Sequence, residues 1–354
     1  MNDRTAALRG IVEDGAPDRF NVAPARLPRA RGPVTSGLLD VFARGNIHRS
    51  DNDLRSLADQ AMSSDPFGDD VQLALTICYE LHYRGFAELD QRWEWYPELL
   101  WLRAALEERF VTSLRTRIPQ RDPVDTLEDL CTTPDTDAEG VPQHLRDQGT
   151  WDQLREFFIH RSIYHLKEAD PHAFVIPRLT GQVKAALVAV EFDEYGGGRA
   201  ARMHSQLYRD LMDAAGLNPR YLAYLDAVPA ETLATVNLMS LCGLHRAHRG
   251  ALVGMFAAAE ITTGPSAKVM VDALSRLEAP EACVEFYREH IEADAVHEQL
   301  MRKDVVGALL RFEPELTEDV SFGIHASEYL EDRFASRLLQ HWHRGSSSLL
   351  SVAS

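Results

Sequence analysis

The sequence predicts an all-α protein, and three observations carry that prediction. From about residue 52 onward, apolar residues recur every three to four positions, which is the period of an amphipathic helix. No segment alternates convincingly with the period of two that a half-buried strand requires. Helix-capping residues, glycines and prolines separate the periodic segments. With 354 residues and no internal repeat, the chain is long for one compact core and predicts two units.

The first unit begins with residues 1–35, which are rich in Arg, Pro, Ala and Gly and lack a sustained period, so we expect a flexible arm. Residues 36–145 predict a helical accessory region. It contains a helical pattern from about residue 52, a second in DDVQLALTICYELHYRGF, and a third that begins at Pro97. The stretch TTPDTDAEGVPQH, rich in Asp, Thr and Pro, predicts a linker and places the boundary near residue 145.

Residues 146–354 predict a second unit made of consecutive helices. The expected helices cover residues 150–170, 176–195, 199–216, 230–262, 264–277, 279–302 and about 317–343. The segment 230–262 is apolar nearly all round, so we expect it to be the central helix.

Charge and composition exclude several classes of function. The net charge of −17, without a dense Lys/Arg cluster, argues against nucleic-acid binding. No apolar run approaches the roughly 20 residues of a membrane span, and the first twenty residues lack the apolar segment of a secretory signal. The four cysteines are scattered without a CxxC pair and read as reduced thiols. These features predict a soluble cytoplasmic protein.

The segment FYREHIEADAVHEQLM places His290, Asp294 and His297 on one face of a helix. At about 100° per residue, the three side chains fall within an arc of roughly 60° that also carries Phe286 and Met301. Burying two imidazoles and a carboxylate without partners costs several kcal/mol each, and a bound cation removes that cost. The competing interpretation is a set of core side chains hydrogen-bonded to their protein neighbours.

Carboxylates on two other helices are candidate partners for these histidines. Glu260 lies on the apolar central helix, where the alternative is a buried ion pair with Arg246 or Arg249. Glu194 continues an apolar stripe. His204 would be about 80° from it in one unbroken helix, a separation that Gly196–Gly198 would relieve by breaking the helix.

Glu191 sits at the edge of the stripe and is the weaker choice. Glu168 closes another helix and is either a further ligand or a surface residue. The main set has three carboxylates and three imidazoles, which suits iron or manganese better than zinc. Helical bundles commonly hold two such ions. The main set comprises Glu194, His204, Glu260, His290, Asp294 and His297.

This pattern resembles the haem-oxygenase-like di-iron oxidases and oxygenases, also called iron-containing redox enzymes. The resemblance covers roughly residues 150–325 and includes KEADPHAFVIPRL, EFDEYGGGRAARMH and HRAHRGALVG beside the histidine helix. It implies a haem-oxygenase-like bundle with two irons per chain, O2 as co-substrate and a small organic substrate. Among its branches, the chain looks most like the N-oxygenating one, in which a further Glu on a preceding helix also binds metal, and Glu168 matches that ligand in position. It implies a dimer-forming role for the N-terminal helical region, hence a homodimer.

The expected activity is therefore N-oxygenation of an amine or amino acid, with no catalytic residue beyond the metal ligands. Two electrons per cycle come from an external donor, because the chain has neither a nucleotide-binding GxGxxG nor a cysteine cluster. Arg246, Arg249 and His245 are the candidate substrate-binding residues, although the two arginines serve equally well to neutralise the carboxylates.

Three alternatives remain open. The same centre could cleave or desaturate an amino or fatty acid. A fatty acid would need a long apolar channel, whereas an amino acid would need an Arg and an acidic group near the metal. Metal-free hydrolysis of the thiamine-salvage type would need a nucleophilic Cys near a Glu, for which Cys242 and Glu260 are candidates. The last alternative is a metal-free helical interaction protein.

Overall fold

The computed structural model describes residues 23–45, 51–132 and 140–351, with the side chains of Asp51, Thr132 and residues 292–295 outside the described set. The all-α prediction is confirmed. In chain order, the helices are α1 (Pro33–Ala43), α2 (Asp51–Ala61), α3 (Asp69–Glu80), α4 (Pro97–Arg115), α5 (Pro123–Thr132), α6 (Val141–Asp147), α7 (Trp151–His165), α8 (Asp170–Ala173), α9 (Gly181–Glu194), α10 (His204–Ala214), α11 (Ala230–Leu244), α12 (Arg249–Arg276), α13 (Glu281–Gln299), α14 (Gly307–Phe312) and α15 (Thr317–His343). Short 3₁₀ turns and a π-helical stretch, Leu300–Val306, lie between them.

Local chemistry explains where several helices begin. Pro97 occupies the first turn of α4, where its missing N–H removes no helical hydrogen bond. Thr150 caps α7 by accepting a hydrogen bond from the Gln153 amide, and the Gln153 side chain accepts one from the Thr150 amide in return. The sequence thus fixes the start of the helix that leads to Glu168.

Helix α12 forms the centre of the molecule and packs along α13 and α15. The α12–α15 crossing is close because glycines face the partner backbone: a Cβ at Gly254 would overlap the Val320 carbonyl, and one at Gly323 would overlap that of Ala251. Small residues of this kind bring the helix backbones together and leave no room for a side chain between them.

The expected central helix 230–262 is interrupted at residues 245–248, and its second half continues through Pro265 to Arg276. The guanidinium of Arg178 accounts for the break: it donates to the carbonyls of Gly243 and Leu244 and so caps the end of α11. An interior proline costs a helix roughly 3 kcal/mol. Helix α12 tolerates Pro265 because apolar side chains before and after it, such as Ile261 and Met270, are buried in the core.

The N-terminal helices share a hydrophobic core with the rest of the chain. Helix α3 packs on α11, while α5 and α6 pack on α12. Residues 23–32 differ from the expected flexible arm: they run along the surface, where the Arg29 amide donates to Asp226 and the Leu27 amide to Glu88. Residues 1–22 of that arm lie outside the described residues. The boundary near residue 145 stays a prediction.

Candidate metal centre

Helix α13 presents His290 and His297, two turns apart, to the interior of the bundle. Both imidazoles are buried. The Nδ1 of His290 donates to the backbone carbonyl of Phe286 at 2.7 Å, which leaves its Nε2 lone pair for another partner. The backbone of Asp294 continues the helix between them, but its side chain lies outside the described residues, so its role as a ligand stays a prediction.

Glu194 and His204 meet because the chain turns sharply between α9 and α10. Gly196, Gly197 and Gly198 all have φ between 61° and 78°, a region that side chains disfavour. A Cβ at Gly196 would come within 2.5 Å of the Arg202 carbonyl carbon. The turn brings Glu194 Oε2 to 2.9 Å from His204 Nδ1, which confirms the predicted break in the helix.

Six buried side chains supply two groups of possible metal ligands, each with its ligand atoms within 4.8 Å of one another. The first group comprises Glu168, His204 and His290; the second comprises Glu194, Glu260 and His297. Glu194 lies between the groups, since one carboxylate oxygen is beside His204 and the other is 3.9 Å from His297 Nδ1. Five of the six predicted main ligands therefore converge, and Glu168 joins them.

Other polar side chains hold these ligands in place. His297 Nε2 lies 3.2 Å from Asp193 and Nδ1 lies 3.0 Å from Glu260, and with its pKa raised to about 9 the ring donates to both carboxylates. Burial lowers the pKa of His165, and the neutral ring donates Nδ1–H to Glu168 at 2.9 Å. Hydrogen bonds of this kind fix the orientation and tautomer of metal ligands.

The electrostatics of the centre fit a cation. Burial, reinforced by the charge of Glu194, raises the pKa of Glu260 despite its contact with His297. The His204–Glu194 contact lacks hydrogen-bond geometry, and the buried His204 Nδ1 has no hydrogen-bond partner among the described residues. A set of carboxylates and imidazoles without thiolates suits iron or manganese. The residues therefore fit two such ions.

A sequence model of the iron-containing redox enzyme family matches residues 155–332, half of the chain, and spans all six of these side chains. The chain belongs to the iron-containing redox enzyme family. Membership agrees with the all-α, haem-oxygenase-like fold. No curated protein matches the sequence. Among the described residues, no helix has both the length and the apolar character needed to cross a membrane.

In this member of the iron-containing redox enzyme family, a cavity of about 740 Å³ reaches the ligands. Glu168, Glu194, Glu260 and His290 line one part of it. The remaining wall mixes apolar with charged side chains, including Phe157, Met239, Phe256, Met270, Arg161 and Glu331. The volume is in the range that binds small organic molecules.

His172 and Glu191 were missed or undervalued by sequence reasoning. His172 lines the cavity, stacks on Phe256 with ring centroids 3.9 Å apart, and has no hydrogen-bond partner for either nitrogen among the described residues. Burial lowers its pKa to about 4, so it is neutral. Glu191 is also buried without a partner in the described part of the chain, and burial together with Glu194 raises its pKa to about 9. In the sequence, Glu191 stands at the edge of the apolar stripe of Glu194, whereas no helical pattern singles out His172.

The predicted substrate-binding residues lie away from the cavity. His245 donates a hydrogen bond from Nε2 to Glu107, Arg246 is exposed, and Arg249 pairs with Glu313. None of the three lines the cavity. Arg249 shares the face of Glu260, but eleven residues at 1.5 Å each separate them by about 16 Å along the helix. The break after α11 changes the direction of the other two.

Cys242 does not meet the requirement of the thiamine-salvage alternative. Its side chain is fully buried and it is not among the described residues that line the cavity. Burial raises its pKa well above the ordinary value of a thiol, which removes the thiolate needed for attack.

Proposed function

We propose that this protein is a non-haem di-iron oxygenase that uses O2 and an external two-electron donor to oxidise the nitrogen of a small amine or amino acid. The convergence of six buried carboxylate and imidazole ligands at a cavity of substrate size supports this activity. Family membership supports iron as the metal.

Glu168, His204 and His290 would hold one ion, and Glu260 and His297 the other, with Glu194 shared between them. When bound, the two ferrous ions supply the redox chemistry that reduces O2. For N-oxygenation, an amine, O2, two electrons and two protons give a hydroxylamine and water. The electrons come from the external donor, and the chain's side chains bind and orient the amine.

His172 is suited to orienting the substrate nitrogen. Its neutral imidazole lies on the cavity wall near Glu168 and accepts a hydrogen bond from the substrate N–H, which fixes the direction of the nitrogen lone pair. Phe256 and Met255 cover adjacent parts of the wall and keep water from the reacting atoms.

Iron content and oxygen incorporation test the proposal together. Protein purified under iron-replete conditions should hold about two irons per chain, as two-metal bundle sites do. The double variant His290→Ala, His297→Ala should lose the iron and keep its helical circular dichroism. His343→Ala, an exposed histidine outside the centre, is the matched control and should keep both irons.

Anaerobic Fe(II) loading followed by 18O2 and a panel of amines should place 18O on nitrogen, read by mass spectrometry. Label on carbon, or loss of a carbon fragment, would instead identify oxidation or cleavage at carbon on the same centre. Wild-type protein that folds but holds no iron would refute the oxygenase.

A further inference from the structure

Arg161 and Glu331 form an ion pair in the wall of the cavity. Arg161, on α7, donates from Nη1 and Nη2 to the two carboxylate oxygens of Glu331, on α15, at 3.1 and 2.7 Å. About a third of each side chain remains accessible, and both residues line the cavity. The pair is therefore presented to a ligand.

The position of the Arg161 guanidinium is fixed by aromatic contacts. It lies 5.3 Å from the ring centre of Phe157 and 4.6 Å from that of Phe334. The bonds to Glu331 use two of the five N–H donors of a guanidinium. The planar group thus holds a defined orientation and keeps donors for a second carboxylate.

The charges around the pair favour one kind of head group. Arg161 offers a positive partner for a carboxylate, and Glu331 offers a negative partner for an ammonium group. Glu328 and Asp332 also line this part of the cavity, which opposes a ligand that brings only a negative charge, such as a fatty acid. A zwitterionic α-amino acid head group satisfies both partners without adding net charge.

The distance to the metal ligands limits the length of the substrate. Arg161 precedes His165 by one helical turn, about 6 Å along α7, and the His165 side chain donates to Glu168. That separation matches an α-amino acid whose extended side chain ends in a nitrogen.

We infer that Arg161 and Glu331 bind the α-carboxylate and α-ammonium of an amino acid whose side-chain nitrogen reaches the metal centre. The substrate class is thus a basic amino acid, and the inference rests on the proposed oxygenase function for the fate of that nitrogen. Neither residue touches the reacting nitrogen; both position it.

Paired probes that differ only in the α-carboxylate test the inference. Binding of L-lysine against cadaverine, and of L-arginine against agmatine, is measured by calorimetry on protein loaded with Mn(II) as a redox-inert substitute for iron. In at least one pair, the amino acid should bind at least ten-fold more tightly than its decarboxylated partner. Dodecanoate serves as the fatty-acid probe.

The variant Arg161→Leu, Glu331→Leu removes both charges together, which avoids leaving a single charge in the wall. It should keep the thermal transition of the wild type and lose the preference for the amino acid. Arg333→Gln removes a neighbouring arginine that lies against Phe67 and Glu231 and does not line the cavity, and it should keep the preference.

Equal binding within both pairs, tighter binding of dodecanoate, binding of none of the probes, or an unchanged preference in the double variant would overturn the inference. Iron content separates this result from the proposed function. If the protein holds iron but binds both members of each pair equally, the proposed oxygenase function stands and the amino-acid site is refuted. If the protein holds no iron but binds the amino acid more tightly than its decarboxylated partner, the amino-acid site stands and the oxygenase function is refuted.

Discussion

Metal binding should depend on pH through His297. In the metal-free protein, burial lowers the pKa of this histidine, but the hydrogen bond and charge of Glu260, with Asp193, outweigh it and raise the pKa to about 9. A protonated imidazole cannot coordinate a metal, so binding must release this proton at neutral pH. Since a pKa unit is worth about 1.4 kcal/mol, the dissociation constant should fall about ten-fold for each pH unit between about 6.5 and 9.

Titration calorimetry with Mn(II) measures this linkage directly. Repeating the titration at one pH in buffers with different ionisation enthalpies counts the protons released, and at least one is expected at pH 7. Between pH 6.5 and 8.0 the dissociation constant should fall about 30-fold. His297→Asn should bind more weakly and release about one proton fewer, whereas His343→Gln, at an exposed surface position, should match the wild type.

A dissociation constant independent of pH over this range, with no proton released, would refute the reasoning. It would mean that His297 binds no metal or that its imidazole is already neutral at pH 7. If His297→Asn released as many protons on Mn(II) binding as the wild type, the proton would come from another group of the centre.

Three further predictions concern stability and turnover. Gly254→Ala should lower the free energy of unfolding by about 1–3 kcal/mol in urea denaturation, because its methyl group would meet the Val320 carbonyl at the α12–α15 crossing; an unchanged value would show that the helices separate without cost. Lys167→Met should cost about 3 kcal/mol by the same assay, since it leaves the fully buried Glu80 without its cation. His172→Leu should raise the unfolding free energy by about 1 kcal/mol, because it removes an unpartnered buried imidazole. The same variant should reduce product formation at least ten-fold; unaltered turnover would exclude His172 from substrate orientation.

Much of the fold followed from periodicity and caps. The final helix was expected at about 317–343 and is found at Thr317–His343, and α4 begins at the predicted Pro97. Helices whose ends depend on distant residues were less well predicted. The Arg178 guanidinium caps the end of α11, and the sequence of residues 230–262 alone does not predict that contact.

In the candidate centre too, features that depend on local sequence were predicted and features that depend on distant residues were not. Helical spacing alone placed His290 and His297 on one face, and the three consecutive glycines indicated the turn that joins Glu194 to His204. The assignment of Arg249 to the substrate failed because face matching takes no account of distance along a helix, and that of Arg246 failed because the expected helix is broken at that point.

The sequence by itself determined the helical class, the residues able to bind iron and their grouping on separate helices, because local spacing and capping act within a few residues. Only the tertiary structure decided which of those helices meet, which buried groups lack partners and which arginine enters the cavity. These outcomes depend on contacts between residues such as Arg161 and Glu331, 170 positions apart, and packing rather than local propensity selects such pairs.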